Sequence, residues 1–181
     1  MEIYFLQKNS DICILFTIRM AQVLKIIADN EDGTLGIARK IAPLFRPGDV
    51  IILDGDLGAG KTCFVKGFTE GLQSKDIVTS PTFSIANFYR NQSLAEVLHI
   101  DLYRIATIEE LNDLALVDYF DQSVVLIEWG KKFINCLDVC LLISFQIIND
   151  NKRVISFEFQ GESNEMIMNE IIKTLKGDES C

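Results

Sequence analysis

The sequence is poor in residues that break regular structure, and it has no internal repeat. Its 181 residues contain three prolines and eleven glycines, which excludes a collagen-like or low-complexity chain. It has no Pro/Gly/Ser-rich linker and no block of like charges. Apolar residues make up 49% and charged residues 24% of the chain, as in globular rather than disordered proteins. The length predicts roughly one domain built around one substantial core.

Positive charge is scarce in this chain. There are 17 Lys and Arg residues against 26 Asp and Glu residues, the formal net charge is −9, and the pI is near 4.6. This balance argues against broad binding to a phosphate backbone, although a local patch could still meet RNA. We therefore expect no DNA partner and no dedicated nucleic-acid clamp.

The cysteines do not form the framework of a secreted scaffold. There are five, an odd number, at spacings that indicate no disulfide pattern: Cys13, Cys63, Cys136, Cys140 and Cys181. Reduced thiols are the better interpretation, and they predict a cytoplasmic location. A zinc site would need more ligands than Cys136 and Cys140 supply, since His99 is the only histidine in the sequence.

The N-terminal segment lacks the features of a membrane anchor or a signal peptide. The apolar run 12–18 is too short to span a bilayer. Glu2 and Asp11 precede it where a signal peptide would carry positive charge, and no small-residue cleavage site follows. We therefore predict no membrane contact. Residues 1–19 form an extension of unknown role, whose apolar run could be an added strand, a disordered tail or a partner contact.

Hydrophobic periodicity predicts strands that alternate with helices. The predicted strands are 22–28, 50–53, 83–89, 96–100 and 123–127, with a turn at 90–93 and a closing hairpin of 139–148 and 153–159. Helical spacing covers 34–45, 64–72, 107–120 and 164–175. The run 50–53 is apolar throughout, as in a strand buried on both faces of a parallel sheet. This order indicates an α/β fold with a mixed sheet.

A phosphate-binding motif follows the strand predicted at 50–53. Eight consecutive residues match the full G-x-x-x-x-G-K-[ST] pattern: Gly55, Asp56, Leu57, Gly58, Ala59, Gly60, Lys61 and Thr62. A chance match has odds of about one in a hundred, and a strand before and a helix after are the expected context. The glycines let backbone N–H groups turn towards a polyphosphate. Lys61 supplies a charge for the β- and γ-phosphates, and the Thr62 hydroxyl suits Mg²⁺.

Two acids end apolar runs where the active edge of such a sheet would lie. Asp101 follows the run 97–100, and Glu128 follows the run 124–127. Ligands of open α/β sheets gather at the carboxyl ends of the strands. Either acid could hold Mg²⁺, directly or through water, or could orient an attacking water. The alternative for each is a strand-end acid that caps a helix or pairs with a surface base.

Several other enzyme signatures are absent from the sequence. No Asn-Lys-x-Asp stretch follows the P-loop, and Asp101 is followed by Leu-Tyr-Arg rather than by the x-x-G of a GTPase switch. No HEXXH, nucleophile-elbow or G-x-G-x-x-G dinucleotide motif competes with the P-loop. By elimination, the pattern favours an adenine nucleotide.

Five motifs that occur in order together resemble one family. They are RPGD at 46–49, GDLGAGKT at 55–62, SPTF at 80–83, HIDLYR at 99–104 and IEW at 127–129. The set is similar to TsaE, the bacterial P-loop ATPase family of tRNA threonylcarbamoyladenosine biosynthesis, and the similarity runs from residue 29 to residue 159. The resemblance implies an α/β P-loop fold with a mixed, mostly parallel sheet flanked by helices and a C-terminal β-hairpin. It also implies a single ATPase domain at 20–181.

The resemblance implies an activity and partners as well. The family hydrolyses ATP with Mg²⁺ and acts with the TsaD–TsaB pair, which modifies the adenosine beside the anticodon of certain tRNAs. We therefore expect ATP and Mg²⁺ as cofactors, TsaD and TsaB as partners, and tRNA contact only through that pair. Turnover without partners should be slow, because no arginine finger is recognisable. Arg104 could serve in cis or could form an exposed structural pairing.

Residue roles carry over by motif. The resemblance implies that Thr62 and Glu128 ligand the metal and that Lys61 meets the phosphates. Asp101 lies at the catalytic acid position of the family, with Lys61 and Glu128 completing the catalytic set. Thr82 lies in a switch-like segment near the γ-phosphate.

Further positions complete the nucleotide site that the resemblance implies. Trp129 packs beside the nucleotide or fills the core, and Thr34 and Arg153 match weaker family positions that approach the nucleotide. Cys63 lies where the family usually repeats a hydroxyl, so a hydroxyl contact to the α-phosphate would be lost. Three other departures touch no expected ligand, and they are Ile100 for phenylalanine, Ala115 for glycine and Gly130 for proline.

Two other functions would share the P-loop. A small-molecule kinase needs an acceptor site and usually an arginine-rich lid, yet Arg104 is the only Arg or Lys between Asp101 and Glu128. A nucleotide-dependent binding module would bind Mg·ATP tightly without turnover. Phosphate on a metabolite would favour the kinase, and tight binding with no turnover even beside the partners would favour the binding module.

Overall fold

Strands and helices alternate along the part of the chain that the computed structural model describes, which is residues 6–9, 12–18, 22–90, 96–137, 140–160 and 165–176. The strands are β1 (Leu6–Asn9), β2 (Ile12–Ile18), β3 (Gln22–Ala28), β4 (Val50–Gly55), β5 (Ala86–Tyr89), β6 (Glu96–Asp101), β7 (Ser123–Glu128), β8 (Cys140–Ile147) and β9 (Arg153–Gln160). The α-helices are α1 (Glu31–Ile41), α2 (Lys61–Gly71), α3 (Ile108–Asp113) and α4 (Glu165–Lys176), and 3₁₀ turns cover Ala42–Leu44, Leu116–Gln122 and Gly130–Cys136. Within these described ranges, no helix is both long enough and apolar enough to cross a membrane.

The described strands form one sheet in the order β1-β2-β3-β9-β8-β4-β7-β6-β5. Strands β8, β4, β7 and β6 run parallel and form its centre. Antiparallel strands extend this centre on both sides, with β5 beyond β6 and with β9, β3, β2 and β1 beyond β8. The arrangement confirms the predicted α/β fold with a mixed sheet and a C-terminal β-hairpin, which is β8–β9. The expectation of a mostly parallel sheet holds for the centre, whereas five of the eight strand pairs in the described chain are antiparallel.

The apolar run near the N-terminus is an added strand. β2 pairs with β3 in antiparallel register, with Ile14 opposite Ile26, and β1 pairs with β2 in turn. Of the three roles considered for this run, the structure shows the first. The boundary of a single domain at 20–181 stays a prediction.

Apolar side chains cover both faces of the parallel centre. On one face, Ile37 of α1 and Phe64 of α2 pack against the strands. On the other face, the chain that follows β6 and β7 covers Ile52 and Ile127. Because both faces are covered, β4 is buried from Val50 to Leu53, as its apolar run predicts. Each large side chain buried in this way contributes about 1.5–3 kcal/mol to stability.

The helix predicted at 107–120 is split in two. α3 begins after Thr107, whose hydroxyl accepts a hydrogen bond from Glu110 N while the Glu110 carboxylate accepts one from Thr107 N, a capping box. It ends at Asp113, and a 3₁₀ turn begins at Leu116. Between them, Ala115 has a φ of +48°, a left-handed conformation that no continuous α-helix contains. The glycine that is common here in the resembling family suits this backbone.

Replacing Ala115 with glycine is expected to raise the free energy of unfolding by about 0.5–1 kcal/mol. Glycine removes the steric cost of a Cβ atom in the left-handed conformation, about 1–2 kcal/mol. Part of this gain is lost because glycine increases the conformational entropy of the unfolded chain. Urea or thermal unfolding measures the effect. Ala106→Gly is the matched control, because Ala106 is exposed and has no positive φ, so glycine there should lower stability. Equal effects at the two positions would contradict strain at Ala115.

The strand predicted at 83–89 is shorter than expected, because a turn takes its first half. In this turn, Ile85 N donates to the Pro81 carbonyl oxygen at 2.6 Å, and Ile85 has a φ of +67°. A β-branched residue rarely adopts this conformation. Here the Ile85 carbonyl oxygen accepts from Asp101 N at 2.9 Å, so a contact from β6 holds the turn. Of the turn predicted at 90–93, residues 91–93 lie outside the described residues.

Candidate nucleotide-binding site

The P-loop connects β4 to α2. Gly55 ends β4 and Lys61 begins α2. Gly55 and Gly60 have φ values of +147° and +108°, which favour glycine. A Cβ atom on Gly55 would also lie 2.6 Å from the carbonyl oxygen of Phe145 in β8. The loop leads into the N-terminus of α2, whose N–H groups without helical partners favour an anion.

The buried side chain of Lys61 is held by oxygen atoms of its own loop. Its Nζ donates to the carbonyl oxygens of Gly55 at 2.7 Å and Asp56 at 2.9 Å, and lies 4.1 Å from the ring centroid of Trp129. Burial lowers the pKa of this ammonium, while nearby carboxylates, led by Glu128, act in the opposite direction. A phosphate bound at the loop would offer the ammonium a charged partner in place of neutral ones.

Two side chains converge on one oxygen of Glu128, the last residue of β7. Thr62 Oγ1 donates to Glu128 Oε1 at 2.7 Å, and His99 Nε2 lies 3.0 Å from the same oxygen. Burial would raise the pKa of this carboxyl group, but the hydrogen bonds from His99 and Thr62 and the charge of Lys61 hold the pKa below its ordinary value. The site therefore has an anionic carboxylate beside a hydroxyl, two oxygen ligands that Mg²⁺ accepts.

Asp101 ends β6 and lies opposite Glu128 in the parallel register of β6 and β7. Each of its oxygens accepts a hydrogen bond, Oδ2 from Thr82 Oγ1 at 2.6 Å and Oδ1 from Tyr103 N at 2.9 Å. The Thr82 hydroxyl also lies 2.7 Å from Ser80 Oγ. The pairing of two strands thus brings the two acids to one edge of the sheet, and the turn before β5 brings Thr82 to the same place.

The residues predicted for the site surround one cavity of about 450 Å³. Twelve of them line it: Thr34, Leu57, Gly58, Gly60, Lys61, Thr62, Cys63, Thr82, Asp101, Glu128, Trp129 and Arg153. The other three lie in the P-loop but do not line the cavity: Gly55, Asp56 and Ala59. Ala59 is fully buried, and the carbonyl groups of the first two hold the P-loop lysine. The volume falls in the usual range of cofactor sites, about 300–1,000 Å³.

Thr34 and Arg153, which are far apart in the sequence, flank the last glycine of the P-loop. A methyl group built on Gly60 would lie 3.9 Å from Thr34 Cγ2 and 3.9 Å from Arg153 Nε. α1 begins at Glu31, earlier than predicted, so Thr34 lies at the end of its first turn. The Thr34 hydroxyl is buried without a hydrogen-bond partner in the described part of the chain, which suits a site that receives a polar ligand.

The structure shows the contacts of Cys63 and Arg104, whose roles the sequence leaves open. Cys63 Sγ lies 3.8 Å from the carbonyl oxygen of Glu31, and burial raises the pKa of its thiol to about 12, so it is a protonated and weakly reactive thiol. The Arg104 guanidinium lies 4.5 Å from the ring centroid of Phe83 and does not line the cavity. For Arg104, the exposed structural pairing is the arrangement observed.

Several residues near the cavity were not predicted from the sequence. Five of them line it: Glu31, Ser80, Tyr103, Asp150 and Asn151. The Tyr103 ring packs against Trp129 with 5.2 Å between centroids. His99 bonds to Glu128 without lining the cavity. Strand alternation could have found it, since His99 lies two residues before Asp101 and therefore on the same face of β6.

The donor set fits a metal that is bound together with phosphate. Thr62 offers a hydroxyl and Glu128 a carboxylate. Among the residues that the structure describes, no group of three or more His, Cys, Asp or Glu side chains is arranged to hold a metal ion. Mg²⁺ typically keeps several waters and takes one or two carboxylates plus substrate phosphates rather than a complete protein cage. The two side chains therefore fit a Mg²⁺ ion that would arrive with a nucleotide.

Comparison with known proteins gives consistent relationships. The family model described as "Threonylcarbamoyl adenosine biosynthesis protein TsaE" matches residues 28–155. The tRNA threonylcarbamoyladenosine biosynthesis protein TsaE of Bacillus subtilis is 42% identical over 144 residues, which cover 78% of this chain and 89% of the relative. The protein of the same name from Aquifex aeolicus is 32% identical over 138 residues, 75% of this chain and 96% of that protein.

A solved structure is similar to this chain in both fold and sequence. The crystal structure of Bacillus subtilis YdiB superposes with a TM-score of 0.71 at 36% sequence identity, and covers 86% of this chain and 97% of that chain. The region that the family model matches contains the P-loop, both strand-end acids and most of the β8–β9 hairpin. These findings confirm the resemblance inferred from the motifs. The chain therefore belongs to the TsaE family of threonylcarbamoyladenosine biosynthesis proteins.

Proposed function

We propose that this protein is a Mg²⁺-dependent ATPase that acts on the TsaD–TsaB complex in the cytoplasm. The observation that carries the proposal is that Lys61, Thr62, Asp101 and Glu128 line a single cavity beside the P-loop. These side chains supply a cation, a hydroxyl and two carboxylates, which is the set that phosphoryl transfer to water requires. Family membership links the hydrolysis to modification of tRNA, which this protein would meet through TsaD and TsaB.

Phosphate binding falls to the P-loop and Lys61. The N–H groups at the start of α2 favour an anion at the helix terminus. Lys61 would exchange the carbonyl oxygens of Gly55 and Asp56 for phosphate oxygens, forming charge-assisted hydrogen bonds. The Thr34 hydroxyl, which has no partner in the described part of the chain, would bond to the nucleotide, and Arg153 would add positive charge on the same side of the cavity.

The two acids have different tasks in this proposal. Thr62 and Glu128 would hold Mg²⁺, which when bound neutralises charge on the phosphates. Asp101 would orient the attacking water and accept its proton, because it is a carboxylate on the cavity wall that makes no bond to the Thr62–Glu128 pair. Thr82 donates to Asp101 Oδ2 and so fixes the direction of that carboxylate.

Slow turnover without partners follows from where the arginines lie. Among the described residues that line the cavity, Arg153 is the only arginine, and its guanidinium donates to the Asp150 carbonyl oxygen at 2.8 Å. Arg104 stacks on Phe83 outside the cavity. An arginine that reaches the transferred phosphate accelerates P-loop hydrolysis by about 10³–10⁵. We therefore assign completion of the site to the TsaD–TsaB complex.

The test follows the γ-phosphate of labelled ATP with this protein alone and with TsaD–TsaB added. Free phosphate should appear at least about tenfold faster with the pair, because the partner completes the stabilisation of charge. TsaD–TsaB without this protein is the control. Phosphate transferred to a metabolite would indicate a kinase instead. Tight Mg·ATP binding without release, beside partners shown to be active, would indicate a binding module.

A further inference from the structure

His99 is a buried histidine that the proposed reaction does not use. It is the only histidine of the chain, and its side chain is fully buried. It lies on β6, two residues before Asp101, so the two side chains share a face of the strand. Since β6 pairs with β7 in parallel, with Asp101 opposite Glu128, the imidazole reaches Glu128 from the neighbouring strand.

Among the described residues, the side-chain hydrogen bonds to Glu128 all go to one of its two carboxylate oxygens. Thr62 Oγ1 and His99 Nε2 both contact Oε1, at 2.7 Å and 3.0 Å, and neither contacts Oε2. The final torsion of a glutamate side chain is broad, so a single contact would leave the carboxylate plane free to turn. Two donors from different elements, α2 and β6, restrict that rotation.

The groups around the His99 imidazole indicate which of its nitrogens carries a proton. Nε2 faces a carboxylate oxygen and so carries a proton that it donates. Nδ1 is buried and has no hydrogen-bond partner in the described part of the chain. Tyr89 packs 6.1 Å from the imidazole between ring centroids, but its hydroxyl donates to the Thr79 carbonyl oxygen at 2.8 Å. The bond to Glu128 is thus the polar contact that orients the imidazole.

We propose that His99 is a positioning residue, whose Nε2–H fixes the carboxylate of Glu128 so that Oε2 is presented to the Mg²⁺ of bound Mg·ATP. The identity of this metal complex rests on the proposed function, whereas the hydrogen bond does not. Partners that orient a metal ligand typically change metal affinity by about 10–100-fold when they are removed. His99 therefore sets how much Mg²⁺ the site needs and touches neither ATP nor the reacting atoms.

The first test uses the single imidazole as a spectroscopic probe. In the full chain without a histidine tag, a side-chain ¹H–¹⁵N spectrum should show one hydrogen-bonded Nε2 proton at low field that exchanges slowly with water. Glu128→Ala removes the acceptor, so this proton should move upfield and exchange faster. The readout requires no nucleotide. A spectrum that Glu128→Ala leaves unchanged would overturn the proposal.

The second test measures how ATP binding depends on Mg²⁺. His99→Leu removes the donor at similar volume, and His99→Gln keeps an N–H in its place. We expect the Mg²⁺ concentration for half-maximal enhancement of ATP binding to rise about 10–100-fold in His99→Leu and to recover largely in His99→Gln. ATP affinity in EDTA should stay unchanged. Val97→Ala, a buried change on the same face of β6, should lower stability without altering the Mg²⁺ requirement.

The outcomes separate this proposal from the proposed function. If wild-type protein hydrolyses ATP and a folded His99→Leu keeps the wild-type Mg²⁺ requirement, the positioning role is wrong and the ATPase stands. If the Mg²⁺ requirement rises as expected while wild-type protein releases no phosphate with active partners, the ATPase is wrong and the positioning role stands. If His99→Leu does not fold, His99→Val, which also removes the donor, takes its place in the Mg²⁺ titration, and a wild-type Mg²⁺ requirement in that variant would overturn the positioning role.

Discussion

Lys61→Ala is expected to lower phosphate release from ATP by about 10²–10³-fold, both with and without TsaD–TsaB. A single preorganised donor to developing phosphate charge is worth about this much in turnover. ATP affinity should fall as well, because the ammonium also meets phosphate in the ground state. Single-turnover hydrolysis of labelled ATP and a direct binding titration measure the two effects.

Lys66→Ala is the matched control for that change. Lys66 belongs to the same helix, carries the same charge, is exposed and does not line the cavity, so its loss should leave phosphate release unaltered. Lys61→Ala also removes the partner of two carbonyl groups, and its thermal unfolding must show that it is folded at the assay temperature. Undiminished ATP turnover in a folded Lys61→Ala variant would contradict the assignment of the phosphate site to the P-loop.

Asp101→Asn is expected to lower turnover by about 10²–10⁴-fold, the usual contribution of a general base, while ATP binds nearly as before. The amide has the shape of the carboxylate and keeps one oxygen that can accept from Thr82 or from Tyr103 N, so the local structure should persist. It cannot take the proton of the attacking water. Turnover and the dissociation constant of a non-hydrolysable ATP analogue, measured separately, show this division between chemistry and binding.

Asp113→Asn is the control for Asp101→Asn, because Asp113 is an exposed acid of α3 that does not line the cavity. It should behave as wild type in both measurements. A large loss of Mg²⁺-dependent ATP binding in Asp101→Asn would indicate that Asp101 is a ligand of the metal. Unchanged turnover would remove Asp101 from hydrolysis and leave Glu128 to orient the water.

The centre of the fold could be predicted because its signals are local. An apolar run such as 50–53 indicates a strand covered on both faces, and the glycines and Lys61 that follow indicate a tight turn into a helix. Such a run also predicts parallel pairing, and β4 and β7 agree. The order of the outer strands has no such local signal, since β3 pairs with β9 across more than a hundred residues of chain.

Two departures from expectation arise at residues that have a positive φ. Ile85 is a strand-forming residue by type, yet it adopts a left-handed conformation because Asp101 N bonds to its carbonyl oxygen. Ala115 favours helix by type, yet it divides the helix predicted around it. Neither residue type indicates a positive φ, so the turn at Ile85 and the helix break at Ala115 could not be predicted from the sequence.

Some residues of the candidate site likewise have a local sequence signal, and others have none. Lys61 and Thr62 belong to a contiguous motif, and Asp101 and Glu128 each end a recognisable strand. Thr34 and Arg153 carry no local signal, and the resemblance to a family suggested them. The link from His99 to Glu128 depends on the adjacency of β6 and β7, which the order of elements along the chain does not determine.

The contacts of Lys61 make nucleotide binding an exchange of partners. Its ammonium donates to two carbonyl oxygens and lies over the face of Trp129. A phosphate must compete with the protein for this cation, and the net binding free energy is the difference between the two sets of contacts. In the proposed reaction, the same oxygens would receive the ammonium again when the phosphate leaves. Such a site would hold its product less tightly and release it more readily, which would suit an ATPase that returns to its starting state after each cycle.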